Sequence, residues 1–241
     1  MYKKINSYVS RLHYKTRVYA KFGSYKFLSK KKTRIVDDFH KLFYDSHIVG
    51  KTWNDSYFLG VGIQKCPFDL FIYQEILFDV KPDVIIETGT EFGGSAYYLA
   101  VLCDVLKKGR IVTVDIKQFR NKPKHPRITY LLSSSTDAKV IKRIEKEIKP
   151  KDKVLVILDS DHTRDHVLRE LEIYSKFVTK GSYLICEDTN VNGHPVNPHH
   201  GLGPMEAIEI FMKDNENFKI DKSREKFYLT FNPNGYLKRV K

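Results

Sequence analysis

Short apolar runs alternate with helical patterns from about residue 81 onward. The runs predict five strands, at 83–87, 111–115, 128–132, 154–158 and 183–187. Apolar residues at helical spacing predict helices between them, at 95–107, 137–148 and 165–178. Strands that are apolar on both faces and separated by helices are typical of a parallel sheet that is covered on both sides.

The C-terminal segment has a different pattern. It predicts two adjacent strands around a turn, at 217–221 and 226–231, and strands joined by a short turn pair antiparallel. The whole pattern therefore predicts an α/β fold. We expect a three-layer, Rossmann-like domain with a mostly parallel seven-stranded sheet and an antiparallel C-terminal edge.

The composition is that of a globular protein, with 41% hydrophobic and 29% charged residues. A chain of 241 residues can bury one substantial core. Three widely spaced cysteines without a CxxC pair, Cys66, Cys103 and Cys186, favour free thiols in a reducing cytoplasm. The N-terminus lacks the apolar core of a signal peptide, and no apolar stretch is long enough to span a bilayer.

The net charge of +13 is concentrated at the N-terminus. Residues 1–34 contain eleven Lys and Arg and no Asp or Glu, whereas the remaining 207 residues carry 31 basic and 29 acidic side chains. A nearly neutral body argues against nucleic acid as a partner. Apolar residues at helical spacing between the basic ones predict an amphipathic helix: Ile5, Tyr8, Val9, Leu12, Tyr19 and Phe22.

This basic arm has two candidate partners. A basic amphipathic helix can bind an anionic membrane surface, with about 1 kcal/mol from each basic residue, or it can form a contact in a homo-oligomer. We expect a cytoplasmic protein, peripheral at the inner membrane face in the first case. The predicted organisation is a basic arm at 1–34, a helical cap or lid at 35–80 and a catalytic domain at 81–241.

The first predicted strand ends in Glu87 and continues into a glycine-rich turn that contains Gly89, Thr90, Gly93 and Ser95. A dinucleotide fingerprint requires GxGxxG, and here the second glycine is absent. Glu91 would also face a bound pyrophosphate. The acid-x-Gly-x-x-x-Gly pattern resembles instead the first motif of class I S-adenosylmethionine (SAM) methyltransferases.

The next two strands also end in polar residues. Asp115 follows the turn by about twenty residues, which is where an acid binds ribose hydroxyls in nucleoside sites. It fits both NAD and SAM. The third strand leads into a serine cluster, where Ser133 or Ser134 is placed either to contact the adenosine or to cap the next helix.

The fourth and fifth strands bring carboxylates to the same edge of the sheet, because their ends meet there in a parallel arrangement. Asp159 follows "VLVIL", and Glu187 and Asp188 follow "YLIC". Three converging carboxylates repel one another unless a cation binds between them. Oxygen ligands favour Mg²⁺ or a similar ion over Zn²⁺.

Histidines accompany these acids. His162 lies three residues after Asp159, and a histidine with a pKa near neutrality is a natural general base for a hydroxyl, with Asp161 as the fallback. The loop at 190–201, "NVNGHPVNPHHG", is rich in turn formers and histidines, and we expect it to face the substrate through Asn192 and His194. Three histidines in one loop also leave Zn²⁺ or non-haem iron open.

Several long blocks together resemble the cephalosporin hydroxylase family, whose members have a SAM-dependent methyltransferase fold. They are "TWNDSYFLGVGIQKCPFDLFIYQEILFDVKPDVIIETGTEFGGSA", "VLVILDSDHTRDHVLREL", "GSYLICEDTNVNGHPV", "GPMEAIEIF" and "SREKFYLTFNPNGYLKR". The resemblance covers about residues 52–239 and does not reach the basic arm.

The resemblance implies a Mg²⁺-dependent O-methyltransferase that acts on a sugar hydroxyl, in a surface glycan or a glycosylated natural product. The family's metal acids carry over to Asp159, Glu187 and Asp188, and its base to His162. The family's SAM contacts carry over to Glu87, Gly89, Gly93, Ser95 and Asp115. The segment around Lys65 is implied to fold over the cofactor.

Two other interpretations remain at the level of sequence. An NAD-dependent oxidoreductase is disfavoured by the missing glycine and by Glu91. A non-catalytic basic protein that binds membranes or nucleic acid is disfavoured by the neutral body. We therefore expect SAM and Mg²⁺ as cofactors and a sugar or glycan as the acceptor.

Overall fold

The computed structural model describes residues 13–21, 23 and 29–241. The chain forms two compact units, residues 1–42 and 43–241. Residues 13–21 are helical, and helix α1 covers Ser29–Asp45. Half of the amphipathic helix predicted over 5–22 lies outside the described residues. The division predicted at 34 and 80 stays a prediction, and α1 continues across the first of these boundaries.

The second unit begins with short elements. Two single-turn 3₁₀ helices, Ser46–Val49 and Thr52–Asp55, precede a hairpin of β1 (Tyr57–Phe58) and β2 (Val61–Gly62). Strands and helices then alternate. In order they are α2 (Pro67–Val80), β3 (Val84–Thr88), α3 (Gly94–Val105), β4 (Arg110–Asp115), β5 (Ile128–Leu132), α4 (Ala138–Glu147), β6 (Val154–Leu158), α5 (Arg164–Tyr174), β7 (Tyr183–Cys186), α6 (Pro204–Lys213), β8 (Phe218–Ile220) and β9 (Tyr236–Arg239).

The main sheet has seven strands in the order β5-β4-β3-β6-β7-β9-β8. The first five are parallel, and β9 pairs antiparallel with both β7 and β8. This confirms the predicted fold class. The five predicted parallel strands are all present, with ends that differ by at most one residue. The strand order reverses between β3 and β6, and ligands bind in open α/β sheets at such a switch point.

The sheet forms the middle of three layers because its strands are apolar on both faces. Val84 and Ile86 of β3 face one apolar cluster, with α4, α5 and α6. Ile85 faces the other cluster, with α2 and α3. A fully buried aliphatic side chain contributes about 1.5–3 kcal/mol, so this double coverage is the main source of stability. It also holds the carboxyl ends of β3 and β6 rigidly side by side.

The strand predicted at 226–231 is wrong, and the antiparallel partner of β8 is β9, at Tyr236–Arg239. The segment after β8 forms a short 3₁₀ helix, Lys222–Glu225, and Tyr228 has a positive φ of 69°, which interrupts extended backbone. Thr230 and Phe231 are buried like strand residues, but they donate hydrogen bonds to the side chain of Asp69. Their apolar pattern therefore reflects burial without sheet pairing.

Among the helices of the described ranges, none combines the length and the apolar character that crossing a membrane requires.

Candidate functional site

The glycine turn after β3 packs tightly against its surroundings. Gly89 and Gly93 have φ values of +85° and +81°, which side chains with a Cβ rarely adopt. A Cβ on Gly94 would lie 2.1 Å from the carbonyl oxygen of Gly62, in the β1–β2 hairpin. The turn is thus covered by the hairpin on one side, which explains the glycine at position 94.

Asp115 closes β4 and binds the backbone of this turn. Its Oδ2 accepts hydrogen bonds from the amide groups of Thr90 (2.9 Å) and Glu91 (2.8 Å), and its Oδ1 accepts one from Lys117 N (2.8 Å). Those amide groups belong to the turn that a pyrophosphate would have to approach. Because a carboxylate occupies them, the turn is unsuited to a dinucleotide and still leaves Asp115 lone pairs for ribose hydroxyls.

The serine cluster after β5 contacts a histidine of α5, which lies beside a buried carboxylate of the same helix. Ser134 does not cap α4, because Asp137 does so through Lys139 N, at 2.7 Å. Ser135 Oγ lies 3.2 Å from His166 Nε2, which is 3.5 Å from the fully buried carboxylate of Glu170. The hydrogen bond and the charge of Glu170 raise the pKa of His166, although its partial burial opposes them.

The predicted metal acids meet at the carboxyl ends of β6 and β7, but they form two groups. In the first, the Nε2 atom of His162 lies 3.4 Å from Asp159 Oδ1 and 3.3 Å from Asp188 Oδ2. These ligand atoms all lie within 4.8 Å of one another. His162 Nε2 is buried and makes no hydrogen bond to any residue that the structure describes.

The second group is organised by Lys65, which is only 5% exposed. Its ammonium group contacts Asp159 Oδ2 and lies 2.6 Å from Glu187 Oε1. Tyr73 also donates a hydrogen bond of 2.7 Å to Glu187 Oε1. Glu187 is therefore bound by a cation and a phenol, while Asp188 faces His162.

The charges of this cluster shift its pKa values strongly. Burial lowers the pKa of His162, but the negative charges of Asp188 and Asp159 outweigh it and bring the pKa to about 9. Burial raises the pKa of Glu187 to about 8, against the opposing charge of Lys65. Lys65 itself is held as a cation by Asp159 and Glu187, which raise its pKa despite its burial. The two neighbouring acids therefore favour the protonated form of His162.

These residues surround one cavity of about 610 Å³ that runs from the glycine turn to the acids, a size within the range of small-molecule sites. Ten of the predicted site residues line it: Lys65, Gly89, Thr90, Ser95, Asp115, Ser134, Asp159, Asp161, His162 and Asp188. Aromatic rings of Tyr44, Trp53, Phe92 and Phe119 also line it, and the sequence did not single these out.

Five predicted site residues do not line the cavity. Glu87 is fully buried beneath the turn and accepts a hydrogen bond from Thr113 Oγ1 (2.7 Å), and burial raises its pKa to about 7. Gly93 and Glu187 are likewise not among the residues that line the cavity. Asn192 Nδ2 and His194 Nε2 both contact Glu206 Oε1, at 2.8 and 3.0 Å. The structure therefore ties Asn192 and His194 to the first turn of α6.

Asp161 is exposed, and its Oδ1 accepts a hydrogen bond of 2.8 Å from Thr163 N at the start of α5. Partial burial raises its pKa, but this hydrogen bond outweighs the effect and the pKa is lowered. Of the two candidate bases, His162 is the one that touches both Asp159 and Asp188.

A buried network that sequence analysis missed supports Glu187 and Asp188. Asn232 Nδ2 donates to Tyr73 OH (3.1 Å), and Asn232 Oδ1 accepts from the amide of Asp188 (3.2 Å), which has a positive φ of 53°. Asp69 accepts hydrogen bonds from Thr230, Phe231 N and Tyr236 OH, and burial raises its pKa to about 6. The segment before β9 thereby fixes the acids after β7. The sequence carried little signal for it, since Asp69 is one of three acids in the helix at 67–80.

The arrangement fits a divalent cation. Two carboxylate oxygens and an imidazole nitrogen without a hydrogen bond converge on one point, at the mouth of a cavity. The carboxylate oxygens suit Mg²⁺ or Mn²⁺, and the imidazole nitrogen stays beside the ion as a potential base. Asp159 and Asp188 would hold the ion, and the third predicted ligand, Glu187, is bound to Lys65 beside them.

The fold and the site together define a class I methyltransferase-like domain. A family model described as "Rhamnosyl O-methyltransferase/CmcI" matches residues 50–240. The rhamnosyl O-methyltransferase of Mycobacterium tuberculosis is 35% identical, over 99% of this chain and 98% of its own. That of Mycobacterium leprae is 37% identical, over 85% and 90% of the two chains.

The chain therefore belongs to the rhamnosyl O-methyltransferase/CmcI family. This confirms the resemblance drawn from the sequence and the predicted enzyme class, an O-methyltransferase. Solved structures of CmcI share its fold. The apo form superposes with a TM-score of 0.62 at 18% identity, over 78% of this chain and 77% of CmcI, and the form with Mg and SAM has a TM-score of 0.59 at 17% identity, over 78% of each.

Proposed function

We propose that this chain is a SAM- and Mg²⁺-dependent O-methyltransferase that methylates a hydroxyl group of a sugar. The acceptor belongs to a surface glycan (O-antigen, capsule or glycolipid) or to a glycosylated natural product. The observation that carries the proposal is the convergence of Asp159, His162 and Asp188 in the same cavity that the glycine turn and Asp115 line. The names of the mycobacterial relatives, rhamnosyl O-methyltransferases, support a sugar acceptor.

In this proposal the cavity orients the two reactants. Asp115 binds the ribose hydroxyls of SAM, Ser134 lies on the adenine side, and the turn at Gly89 gives room for the cofactor. The aromatic rings of Tyr44 and Trp53 line the same cavity and exclude water. Because a sulfonium methyl group is already reactive, alignment supplies much of the rate.

The proton of the acceptor hydroxyl goes to His162 Nε2, while the hydroxyl oxygen forms a bond to the methyl carbon and the bond from that carbon to sulfur breaks. A bound Mg²⁺ would lower the pKa of the hydroxyl and fix its direction. Asp159 and Asp188 would hold the ion, and both lie within 3.4 Å of His162 Nε2. For this role His162 must be neutral, and a cation bound by the two acids cancels the charges that now raise its pKa.

The basic arm gives the proposal a cellular setting. We propose that the protein is cytoplasmic and peripheral at the inner membrane face, where a lipid-linked glycan is accessible. The support is compositional, since residues 1–34 carry eleven basic and no acidic side chains. Within the arm, residues 13–21 are helical, and Tyr14 and Tyr19 are 69% and 74% exposed.

The test combines binding and turnover. Calorimetry should show SAM binding, and transfer of a labelled methyl group to nucleotide sugars or lipid-linked glycans should require Mg²⁺. Asp159→Asn should abolish transfer, and Asp165→Asn should not. Asp165 is the matched control because it is an acid in the first turn of α5, six residues after Asp159, and its side chain is 80% exposed. Tight NADH binding without SAM binding would overturn the proposal.

A further inference from the structure

Lys65 occupies an unusual position for a lysine. It lies in the segment between β2 and α2 and has 5% of its surface exposed, although lysine is almost never fully buried unless it is paired. Its ammonium group bridges two carboxylates from different strands, Asp159 after β6 and Glu187 after β7. Both carboxylates belong to the predicted metal set.

The bridge divides the oxygens of that set. Asp159 uses Oδ2 for Lys65 and Oδ1 for His162. Glu187 uses the same oxygen, Oε1, for Lys65 (2.6 Å) and for the hydroxyl of Tyr73 (2.7 Å). A divalent ion held by Asp159 and Asp188 would therefore have a fixed positive charge on the far side of Asp159.

We propose that Lys65 is a resident monovalent cation of the metal site, which holds Asp159 and Glu187 in place before the metal binds and keeps the affinity for the metal moderate. The inference rests on the metal site of the proposed function and deepens it. Three free carboxylates would bind a divalent ion tightly, whereas a neighbouring ammonium group repels the ion and neutralises one carboxylate. A single neighbouring charge changes the affinity of a group for a proton by about 10- to 1000-fold, and the effect on a divalent ion has the same sign.

This inference changes the role predicted for Lys65 from the sequence. A lysine that binds SAM would contribute to cofactor affinity. A resident cation contributes to the order of the two acids and opposes the metal. The two roles predict opposite results for a variant that keeps the length of the side chain and loses its charge.

The experiment compares Lys65→Met and Lys65→Arg with the wild type in the full chain. Mn²⁺ binding is titrated by electron paramagnetic resonance, with Mg²⁺ as competitor, and SAM binding is measured by calorimetry. We expect Lys65→Met to bind Mn²⁺ at least about tenfold more tightly, with Lys65→Arg within about threefold of the wild type and SAM affinity changed by less than about threefold. Lys153→Met is the matched control, because Lys153 lies beside the opposite end of β6, where its Nζ donates to Val80 O.

A folding defect does not remove the test. Thermal melts with and without saturating Mn²⁺ report the same affinity, since a ligand that binds only the folded state raises the melting temperature with its affinity. The rise must be larger for Lys65→Met than for the wild type. An equal or smaller rise, unchanged or weaker Mn²⁺ binding, or a loss of SAM affinity alone overturns the inference. A wild-type protein that binds neither Mn²⁺ nor Mg²⁺ overturns the metal part of the proposed function instead.

Discussion

Gly89 lies directly against the backbone of Asp159, so that a Cβ at position 89 would come within 1.8 Å of the Asp159 carbonyl oxygen. This contact joins the ends of β3 and β6 at the point where the strand order reverses. The turn proposed to bind the cofactor therefore packs directly against the backbone of the first proposed metal ligand. A change on either side of the contact therefore affects both.

Gly89→Ala should lower the free energy of unfolding by about 3–5 kcal/mol, because a positive φ and a steric clash with backbone add. Gly181→Ala is the matched control, since Gly181 has nearly the same φ (+83°) and nothing within 4 Å. It should cost only the backbone term, about 1–2 kcal/mol. Urea unfolding of both variants measures the difference, and equal costs would show that the clash is relieved.

His162→Asn should reduce kcat by about 10²- to 10⁴-fold, the usual contribution of a general base. Mn²⁺ affinity should fall much less, because Asp159 and Asp188 remain. His199→Asn is the control, since His199 is exposed in the loop after the metal acids and has no proposed role. If His162→Asn kept most of its kcat, another residue would accept the proton.

Asn232→Ala should weaken Mn²⁺ binding although Asn232 touches no proposed metal ligand oxygen. It removes the acceptor for the Asp188 amide and the donor to Tyr73, so Asp188 loses the contact that supports its left-handed backbone. Unpaired buried polar groups cost about 1–3 kcal/mol in stability, which urea unfolding reads. Asn215→Ala is the control: it also removes an acceptor for a backbone amide, that of Asn217, but in an exposed hydrogen bond, and it should leave the metal affinity unchanged.

Glu206, in the first turn of α6, gives a pH dependence to the contact between this helix and the loop that follows the metal acids. Partial burial raises its pKa, but hydrogen bonds from Gly203 N, His194 and Asn192 have the larger, opposite effect. The pKa is therefore lowered to about 2 from its ordinary 4.5. Since the folded pKa is the lower one, this carboxylate stabilises the fold above about pH 4.5 and loses that effect as the pH falls towards 2.

Glu206→Gln should therefore be less stable than the wild type by about 1 kcal/mol at pH 7, as for other helix N-terminal contacts. The difference should shrink as the pH falls from 4.5. Urea unfolding at pH 7, 5, 4 and 3 measures it. A difference that stayed constant over this range would mean that the charge of Glu206 contributes nothing.

Deletion of residues 1–28, upstream of α1, should abolish flotation of the protein with anionic liposomes and leave SAM binding unchanged. Electrostatic attraction of a basic arm to an anionic surface also falls with salt, so flotation of the full chain should weaken at high ionic strength. Zwitterionic liposomes are the control. Equal flotation of the full and shortened proteins would dismiss the membrane, and a change in oligomer size would favour self-association.

The parallel part of the sheet was predictable because each strand is a short apolar run closed by a polar residue, as at Glu87, Asp115 and Asp159. The final strand was not, because "KFYLTF" at 226–231 has a strand-like pattern without sheet pairing. Its Thr230 and Phe231 are buried by Asp69, about 160 positions earlier in the chain. No local pattern carries a contact of that range.

The same limit applied to the site. The residues at strand ends, such as Asp159 and Asp188, follow from topology alone. Lys65, Tyr73 and Asn232 belong to a segment before the sheet, a helix and a loop. Only packing brings the first two to Glu187 and Asn232 to the amide of Asp188. The sequence therefore indicated which acids meet and could not indicate that a lysine already binds two of them.

The loop before β9 has a consequence for the dynamics of the protein. Loops generally exchange their amide hydrogens with solvent quickly, since they open without global unfolding. The amide of Phe231 donates instead to the buried carboxylate of Asp69, and its neighbour Asn232 is completely buried. Their hydrogens should exchange as slowly as those of the central strands, which would mean that this loop opens only together with the domain core.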